Sequence, residues 1–300
     1  MSEREINDKF TRVAIIILNY NRVGDTIECI DSLLLSNFRG IRIVVLDNGS
    51  KGDDVSRLEK RFGNQIDIIT ERENLGVAAG WNLTVEYART KYEPDFIFLL
   101  NNDTIVDPTV IEELLHFGDS ESNAYAIGPT IVDFYSPGTF EPPYLKGVDS
   151  PMVNYEISGA AILIRKKAFE IVGIFDEDFF AYGEESDFLH RMKKFDIYPF
   201  YFPTSGKVHH KGSATSSMIS GFEAYHRSRN SLVFIAKNLA GKELLLSLAR
   251  YFLIQMPIGL LSDMRSRDRR NRIRGRIRGI VAGIVSYPEM HRKRKNRIVL

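Results

Sequence analysis

The segment DFIFLLNNDTIVDP, residues 95–108, joins five consecutive apolar residues to a run of polar ones. An uninterrupted apolar run of this length predicts a strand covered on both faces, as in parallel sheets. Asn101, Asn102 and Asp103 follow directly where that strand should end. The segment therefore predicts a buried strand that brings two amides and one carboxylate to the edge of a sheet.

Polar residues also end two earlier predicted strands. RVAIIILNY (12–20) ends near Asn19, and IRIVVLDNGS (41–50) contains Asp47 near its end. Segments with helical spacing separate these strands, and such alternation predicts a mostly parallel sheet flanked by helices. Because ligand crevices in such sheets lie beyond the carboxyl ends of the strands, we expect a binding site there. The alternative is that Asn and Asp simply favour turns.

The rest of the chain gives a looser pattern. It predicts the following, in order: a strand over 124–134, a surface loop over 135–151, a strand within 155–165, a helix from 166, a helix beginning near 186, a short strand within 197–203, a loop over 205–217 and a helix over 222–240.

Charge and cysteine content bound the possibilities. Residues 241–300 carry 15 Lys and Arg against 4 Asp and Glu, although the whole chain has a formal net charge of +1. This asymmetry favours two parts, 1–238 and a helical basic extension over 239–300. The single cysteine, Cys29, excludes an internal disulfide and has the spacing of a packed helix face. The charged start MSEREINDKF has no apolar segment, so we expect no secretory signal.

The basic extension suggests contact with a membrane. Residues 243–263 are mostly apolar, but Arg250 and Pro257 interrupt them, which falls short of a membrane span. Arginine and apolar residues then alternate over 264–297, a pattern typical of an amphipathic helix on anionic lipid. We expect a cytoplasmic protein bound to the inner face of the membrane, with a homodimer through this region as the alternative. No motif favours nucleic acid.

Six motifs in order give a family resemblance. They are VAIIILNYNR (13–22), IVVLDNGS (43–50), ENLGVAAGWN (73–82), FLLNNDT (98–104), SGAAILIRKKAFEIVGIFDEDFFAYGEESDF (158–188) and KVHHKGSAT (207–215). Together they resemble family 2 inverting glycosyltransferases with the Rossmann-like GT-A fold, most closely the bacterial rhamnosyltransferase-like branch. The resemblance implies a nucleoside-diphosphate sugar donor (dTDP-rhamnose or a UDP-hexose), Mg²⁺ or Mn²⁺, and an acceptor that is a surface polysaccharide or lipid-linked glycan.

The resemblance also implies a set of donor-binding residues. Asp47 would accept a hydrogen bond from a pyrimidine N–H, with Arg72 or Asn74 beside the base. Small residues at a helix start favour the diphosphate. Arg229 would reach the diphosphate or remain a surface cation. The full nucleotide-sugar set is Asn19, Asn21, Asp47, Arg72, Asn74, Gly76, Asn82, Asn101, Asn102, Gly159 and Arg229.

The family's metal motif is usually Asp-x-Asp, whereas this chain has Asn101-Asn102-Asp103. Asp103 is the only acid left in the motif, so we expect it to hold the metal. His210 aligns with the family's second ligand, and His209 is the alternative.

The expected catalytic base also departs from the family pattern. The family's Glu-Asp-x-Asp stretch aligns with Glu184, Glu185 and Asp187, and its base falls at Glu185. Asp187 and Glu184 are the alternatives for this role.

The sequence leaves two other functions for the protein: a degenerate module that binds nucleotide sugar or glycan, and a sugar-nucleotide pyrophosphorylase. The second needs a glycine-rich triphosphate loop, which LNYNRVGD (18–25) lacks.

Overall fold

The computed structural model describes residues 12–136, 138–141, 143–212 and 221–297. These residues divide between two compact units, Met1–Asp176 with Phe188–Ser213 and Glu177–Asp187 with Ala214–Leu300. Of the KVHHKGSAT motif, residues 213–215 lie outside the described residues.

The described strands fall in two sheets. In chain order they are β1 (Val13–Asn19), β2 (Ile41–Asn48), β3 (Ile66–Glu71), β4 (Phe96–Asn101), β5 (Thr104–Val106), β6 (Ala124–Gly128), β7 (Ile131–Asp133), β8 (Phe140–Glu141), β9 (Met152–Val153), β10 (Ala161–Arg165), β11 (Tyr198–Tyr201) and β12 (Val208–His210). The large sheet has the order β3-β2-β1-β4-β10-β6-β11-β9, and the small one β5-β12-β7-β8.

The described helices are α1 (Val23–Leu34), α2 (Asp54–Phe62), α3 (Val77–Tyr92), α4 (Val110–Ser120), α5 (Lys166–Val172), α6 (Glu184–Met192), α7 (Phe222–Asn238), α8 (Gly241–Arg250), α9 (Met256–Arg265) and α10 (Arg269–Arg297). A π-helical segment, Tyr251–Gln255, joins α8 to α9, and 3₁₀ turns cover Gly63–Gln65, Pro143–Leu145 and Lys193–Phe195. The boundary between the two units falls within α6.

The large sheet of the first unit confirms the predicted α/β class. Strands β3, β2, β1 and β4 are parallel, and β10 runs antiparallel beside β4. Along β1, Val13, Ile15 and Ile17 face a core that includes side chains of α1, α2 and α4, while Ala14 and Ile16 face α3, α5 and α6. All five are fully buried. Burial of a valine or isoleucine side chain contributes about 1.5–3 kcal/mol, so helices on both faces stabilise this sheet.

Three sequence predictions about strands and loops differ from the structure. The strand expected over 124–134 is two strands in different sheets, β6 and β7, because Pro129 has no N–H to continue a ladder. The loop expected over 205–217 contains β12, which pairs with β5 and β7. β12 is only three residues long, too short for its periodicity to be visible. The loop predicted over 135–151 contains the two-residue strand β8 and a 3₁₀ turn.

In the second unit, α10 packs against α7 through glycines. A Cβ atom on Gly275 would lie 2.2 Å from the carbonyl oxygen of Gly221, and one on Gly279 would lie 2.2 Å from that of Tyr225. A Cβ on Gly283 would lie 2.8 Å from the side chain of Leu232. The glycine face of α10 is therefore covered by α7, while the expected contact of this helix with anionic lipid stays a prediction.

An ion cluster fixes α9 to α10. Asp263 is fully buried and accepts hydrogen bonds from Arg272 at 3.0 Å and from Arg276 at 2.5 Å. The division at residue 238 that the charge pattern predicts differs from that of the compact units, because α7 belongs to the second unit with α10. As a functional boundary, residue 238 stays a prediction.

Candidate active site

The carboxyl ends of β1 and β2 form a buried hydrogen-bond network. Asn19 pairs in register with Asp47, and its Nδ2 donates to Asp47 Oδ1 at 2.7 Å and to Asp54 Oδ2 at 2.9 Å. Its Oδ1 accepts from Thr26 Oγ1 at 2.7 Å. Asn19 is fully buried. It therefore orients Asp47, and the network uses both polar atoms of its side chain.

Asn21 joins the loops that follow these two strands. Its φ is +55°, a left-handed conformation that Asn tolerates better than most residues. The backbone N–H of Asn21 donates to Ser50 Oγ at 2.8 Å, and its side-chain oxygen accepts from the Lys51 N–H at 2.7 Å. These bonds hold together the two loops beside Asp47.

The turn before α3 is shaped by two asparagines. Asn74 Oδ1 accepts from the Gly76 N–H at 2.9 Å. Asn48 donates to the Gly76 carbonyl at 3.0 Å and accepts from the Leu75 N–H at 2.9 Å. Gly76, with φ +84°, precedes the first turn of α3, where N–H groups favour an anion. Arg72 is exposed nearby in sequence.

The three polar residues at the end of β4 have different surroundings. Asn102 is 7 % exposed, and its amide donates to Thr26 Oγ1 at 3.0 Å, so it joins the Asn19 network beneath the site. Asn101 is partly exposed. Its N–H donates to the Ala160 carbonyl at 2.9 Å, which places the turn containing Gly159 against the end of β4.

Asp103 lies beside His210. Their side chains approach at 3.4 Å between Oδ1 and Nε2, and both are largely buried. β12 pairs with β5 so that His210 is opposite Thr104, which explains the proximity. His209, on the other side of β12, lies 3.4 Å from Asp107 instead.

The donor set of this pair fits a divalent cation. Carboxylate oxygen and imidazole nitrogen are ligands that Mn²⁺ accepts, and Mg²⁺ is commonly held by one or two carboxylates plus phosphate and water. No group of three or more His, Cys, Asp or Glu side chains that would hold a metal occurs among the described residues. Most coordination positions at Asp103 and His210 would thus fall to a bound diphosphate and water.

Asn82 has a structural position. It is 9 % exposed, and its amide donates to the carbonyl of Phe175 at 3.0 Å while accepting from the N–H of the same residue at 2.9 Å. These two bonds tie α3 to the loop after α5.

In the second unit, three carboxylates begin α6. Tyr182 (φ +66°) and Gly183 (φ +101°) make the turn that precedes them. Asp187 is fully buried and accepts from the Asn238 amide at 2.8 Å. Glu185 is partly exposed, and its Oε2 accepts from the Gly183 N–H at 3.2 Å.

Glu184 differs from these two residues at one of its carboxylate oxygens. It is 5 % exposed, and its Oε2 has no hydrogen-bond partner among the described residues. Burial, and then the charge of Glu185, raise the pKa of Glu184 well above its usual value. Burial also raises the pKa of Glu185. Because the charge of Glu185 disfavours ionisation of Glu184, Glu184 is the carboxyl that more strongly favours its protonated form.

Helix α7 holds the turn that carries these carboxylates. Asn230 donates to the carbonyls of Ala181 and Tyr182 at 2.8 and 2.7 Å. Arg229 Nη1 donates to the carbonyl of Asp178 at 2.8 Å and to Asn230 Oδ1 at 2.7 Å. One of its guanidinium nitrogens is thus engaged with the protein, and its expected contact with a diphosphate stays a prediction.

Sequence reasoning missed several supporting residues. Thr26 and Asp54 lie in the first turns of the helices after β1 and β2, and both bond Asn19. The sequence could have indicated both as site residues, because each is a polar residue in the helical turn that follows a polar strand end. Asn48 was visible at the end of β2, but its function of shaping the Asn74–Gly76 turn was not.

A family model now identifies the chain. Residues 14–187, more than half of the 300, match the model of Glycosyl transferase family 2. The chain belongs to glycosyl transferase family 2. The protein is therefore a glycosyltransferase that transfers a hexose, as the resemblance implied.

Curated relatives include rhamnosyltransferases. The N-acetylglucosaminyl-diphospho-decaprenol L-rhamnosyltransferase of Mycobacterium tuberculosis is 27 % identical over an alignment of 246 positions, which covers 70 % of this chain and 79 % of that protein. The dTDP-rhamnosyl transferase RfbF of Shigella flexneri is 25 % identical over an alignment of 217 positions, which covers 65 % of this chain and 71 % of that protein.

Solved structures confirm the GT-A fold. The mannosyltransferase PcManGT from Pyrobaculum calidifontis, in complex with GDP-Man and Mn²⁺, has a TM-score of 0.62 at 13 % identity, over 92 % of this chain and 86 % of that one. TarS from S. aureus, in complex with UDP-GlcNAc, has a TM-score of 0.58 at 15 % identity, over 95 % and 92 %.

Proposed function

We propose that the protein is an inverting, metal-assisted glycosyltransferase that uses dTDP-rhamnose or a UDP-hexose. Its acceptor would be a growing surface polysaccharide or a lipid-linked glycan. The observation that carries this proposal is the Asp103–His210 pair beyond β4, on the sheet edge where β1 and β2 present Asn19 and Asp47. The rhamnosyltransferase relatives support the choice of sugar and of acceptor.

The first unit would bind the donor. Asp47, 4 % exposed and oriented by Asn19, accepts the N–H of a pyrimidine base. Asn21 and Asn74 hold the loops on either side of this carboxylate, and the start of α3 favours the diphosphate. When bound at Asp103 and His210, a divalent cation supplies positive charge that stabilises the leaving diphosphate.

Glu185 is the best candidate for the base. Of the three carboxylates at the start of α6, Asp187 is fully buried and bonded to Asn238, while Glu184 is buried and favours its protonated form. Glu185 alone keeps part of its surface in solvent. In the reaction it removes the proton of the acceptor hydroxyl, whose oxygen forms the new bond to the anomeric carbon. The bond from that carbon to the diphosphate breaks, and the nucleoside diphosphate leaves with the electron pair.

A donor screen tests this proposal. Release of nucleoside diphosphate would be measured with dTDP-rhamnose and common UDP- and GDP-sugars, with and without a lipid-linked glycan acceptor. We expect acceptor-dependent release from one donor, and a loss of roughly 10²–10⁴-fold in kcat in Glu185→Gln. Ser186→Ala, at the exposed neighbouring position, is the matched control and should stay near wild type.

The degenerate binding module remains the second candidate, because Asn101 and Glu185 replace the family's usual acids. Nucleotide binding without turnover by the wild-type chain, and also by Asn101→Asp, would favour it over the enzyme.

The same proposal places the protein on the cytoplasmic face of a membrane. By length and composition, Gly241–Arg265 is apolar enough to cross a bilayer, and little of its most apolar part is buried. By itself this is weak support for a membrane helix. Exposed apolar side chains are Leu245, Leu253, Ile258 and Leu261, and exposed cations that follow are Arg265, Arg267, Arg269 and Arg270. Apolar side chains next to arginines suit an in-plane helix on anionic lipid.

Vesicle flotation tests the membrane contact. We expect the protein to float with vesicles that contain phosphatidylglycerol and much less with phosphatidylcholine alone. Leu253→Glu (76 % exposed in wild type) should reduce flotation, whereas Leu35→Glu (70 % exposed in the first unit) should not. A homodimer through the same surface would instead appear as a Leu253-dependent change in mass without vesicles.

A further inference from the structure

Asp178 is the point where the loop before α6 is tied to the last helix of the chain. Lys293 of α10 donates to both of its carboxylate oxygens at 2.9 Å. Lys237 of α7, which is 2 % exposed, contacts the same carboxylate. Burial acts to raise the pKa of Asp178, but hydrogen bonds from Lys237 and Lys293 outweigh it and hold the pKa below its usual value.

The next residue makes an apolar contact with the same two helices. Phe179 is fully buried in a cluster with Val233 and Ala236 of α7 and Met290 of α10. Asn230 then holds the carbonyls of Ala181 and Tyr182. The loop over 178–182 is therefore fixed along its length, by α7 and α10 near Asp178 and by α7 near the start of α6.

The position of Lys293 is set by close backbone packing. Gly275 and Gly279 bring α10 against the carbonyls of Gly221 and Tyr225, leaving no space for a side chain. A helix packed this closely has little freedom to slide along α7. A shift along its axis would bring a residue with a side chain to a position where only glycine fits. The end of α10 that carries Lys293 and Met290 is thereby placed at the loop.

We propose that α10 is a positioning element for the turn that carries Glu184 and Glu185, with Lys293 as a positioning residue that acts through Asp178. The inference rests on the proposed function of Glu185, and it deepens it. The basic extension then positions the catalytic turn through Lys293, in addition to its proposed membrane contact. Without Lys293, Asp178 keeps Lys237, so the fold should survive while the loop gains freedom.

The first test compares three variants of the full-length protein. Lys293→Met removes the bond, Lys293→Arg keeps the charge, and Arg292→Met changes the exposed neighbour as the control. We expect kcat to fall roughly tenfold in Lys293→Met, because misplaced reacting groups lose rate steeply. Nucleoside-diphosphate affinity should stay within about twofold of wild type, since the predicted donor-binding residues other than Arg229 belong to the first unit. A loss confined to kcat indicates a misplaced reacting group rather than weaker binding of the donor. Lys293→Arg should recover most of the loss.

Equal kcat in Lys293→Met and Arg292→Met would overturn the proposal. Parallel loss of kcat and nucleotide affinity would also overturn it, because that result indicates general unfolding. Hydrogen exchange over 178–183 gives a readout that needs no activity. Faster exchange there in Lys293→Met than in Arg292→Met supports the positioning function even if wild type transfers no sugar, and equal exchange refutes it. Absence of transfer by wild type would count against the proposed function alone.

Discussion

Replacement of Gly279 by alanine tests the packing of α10 on α7. The new Cβ would lie 2.2 Å from the carbonyl oxygen of Tyr225 and 2.9 Å from its carbonyl carbon. A comfortable carbon–oxygen contact is roughly 3.3 Å, so the two helices would have to separate by about 1 Å. Overpacking of this kind costs up to about 3 kcal/mol, and the better helix propensity of alanine offsets about 1 kcal/mol. We expect a net destabilisation of the second unit of about 2 kcal/mol.

The assay is urea unfolding followed by hydrogen-exchange mass spectrometry, so that peptides from α7 and α10 report separately from the α/β unit. Gly24→Ala is the control, because Gly24 lies in α1 with no atom within 4 Å of the new Cβ. This control should be neutral or stabilise by up to about 1 kcal/mol. If Gly279→Ala stabilises the protein as much as Gly24→Ala does, the inferred packing of α10 on α7 is wrong.

Three further predictions follow from buried groups. Burial, and then Arg229, lower the pKa of His226 from 6.5 to about 4, so the unfolded chain takes up a proton first. Stability should therefore be full above pH 6.5 and fall as the pH drops towards 4, by about 1 kcal/mol at pH 5 after allowance for solvent screening, in urea titrations. His226→Phe should remove this loss. Burial raises the pKa of Cys29 to about 12, so the native thiol should fail to react with a disulfide reagent at pH 8 that labels the unfolded chain at once. Asn82→Ala should cost about 3 kcal/mol in urea titrations, because it leaves the N–H and carbonyl of Phe175 without their bonds.

Sequence periodicity predicted the parallel strands well, for a physical reason. The strands β1 and β4 are covered on both faces, so nearly every residue is apolar and the signal is continuous. β12 lacks that signal, because its ladder partners β5 and β7 are distant in the chain and it contains two histidines.

The direction of a side chain at the site was harder to predict. Asn101 and Asn102 are adjacent in sequence, yet only Asn102 turns inwards to bond Thr26. Asn82 resembled a donor ligand by its motif, but two backbone groups of Phe175 occupy its amide. Side-chain direction at a strand end depends on the local turn, which composition does not specify.

The sequence contains a signal for the close packing of α10, but the arginines of the same segment made it less apparent. Gly275, Gly279 and Gly283 recur every four residues and so share one face of a helix. Small residues at this spacing allow close helix approach. The arginines of the same segment drew attention to a lipid surface, whereas the glycine face shows that α10 also packs on α7.

The most direct test of the account is metal-dependent nucleotide binding at Asp103. Titration calorimetry would measure the affinity for dTDP, UDP and GDP with and without Mn²⁺, in wild type, Asp103→Asn and Asp107→Asn. The Asp107–His209 pair has the same 3.4 Å separation and is the matched control. The account predicts that Mn²⁺ strengthens binding of one nucleotide in wild type and in Asp107→Asn, and that this gain is lost in Asp103→Asn. Binding that ignores Mn²⁺, or a gain that survives in Asp103→Asn, would contradict the proposed metal-assisted transfer.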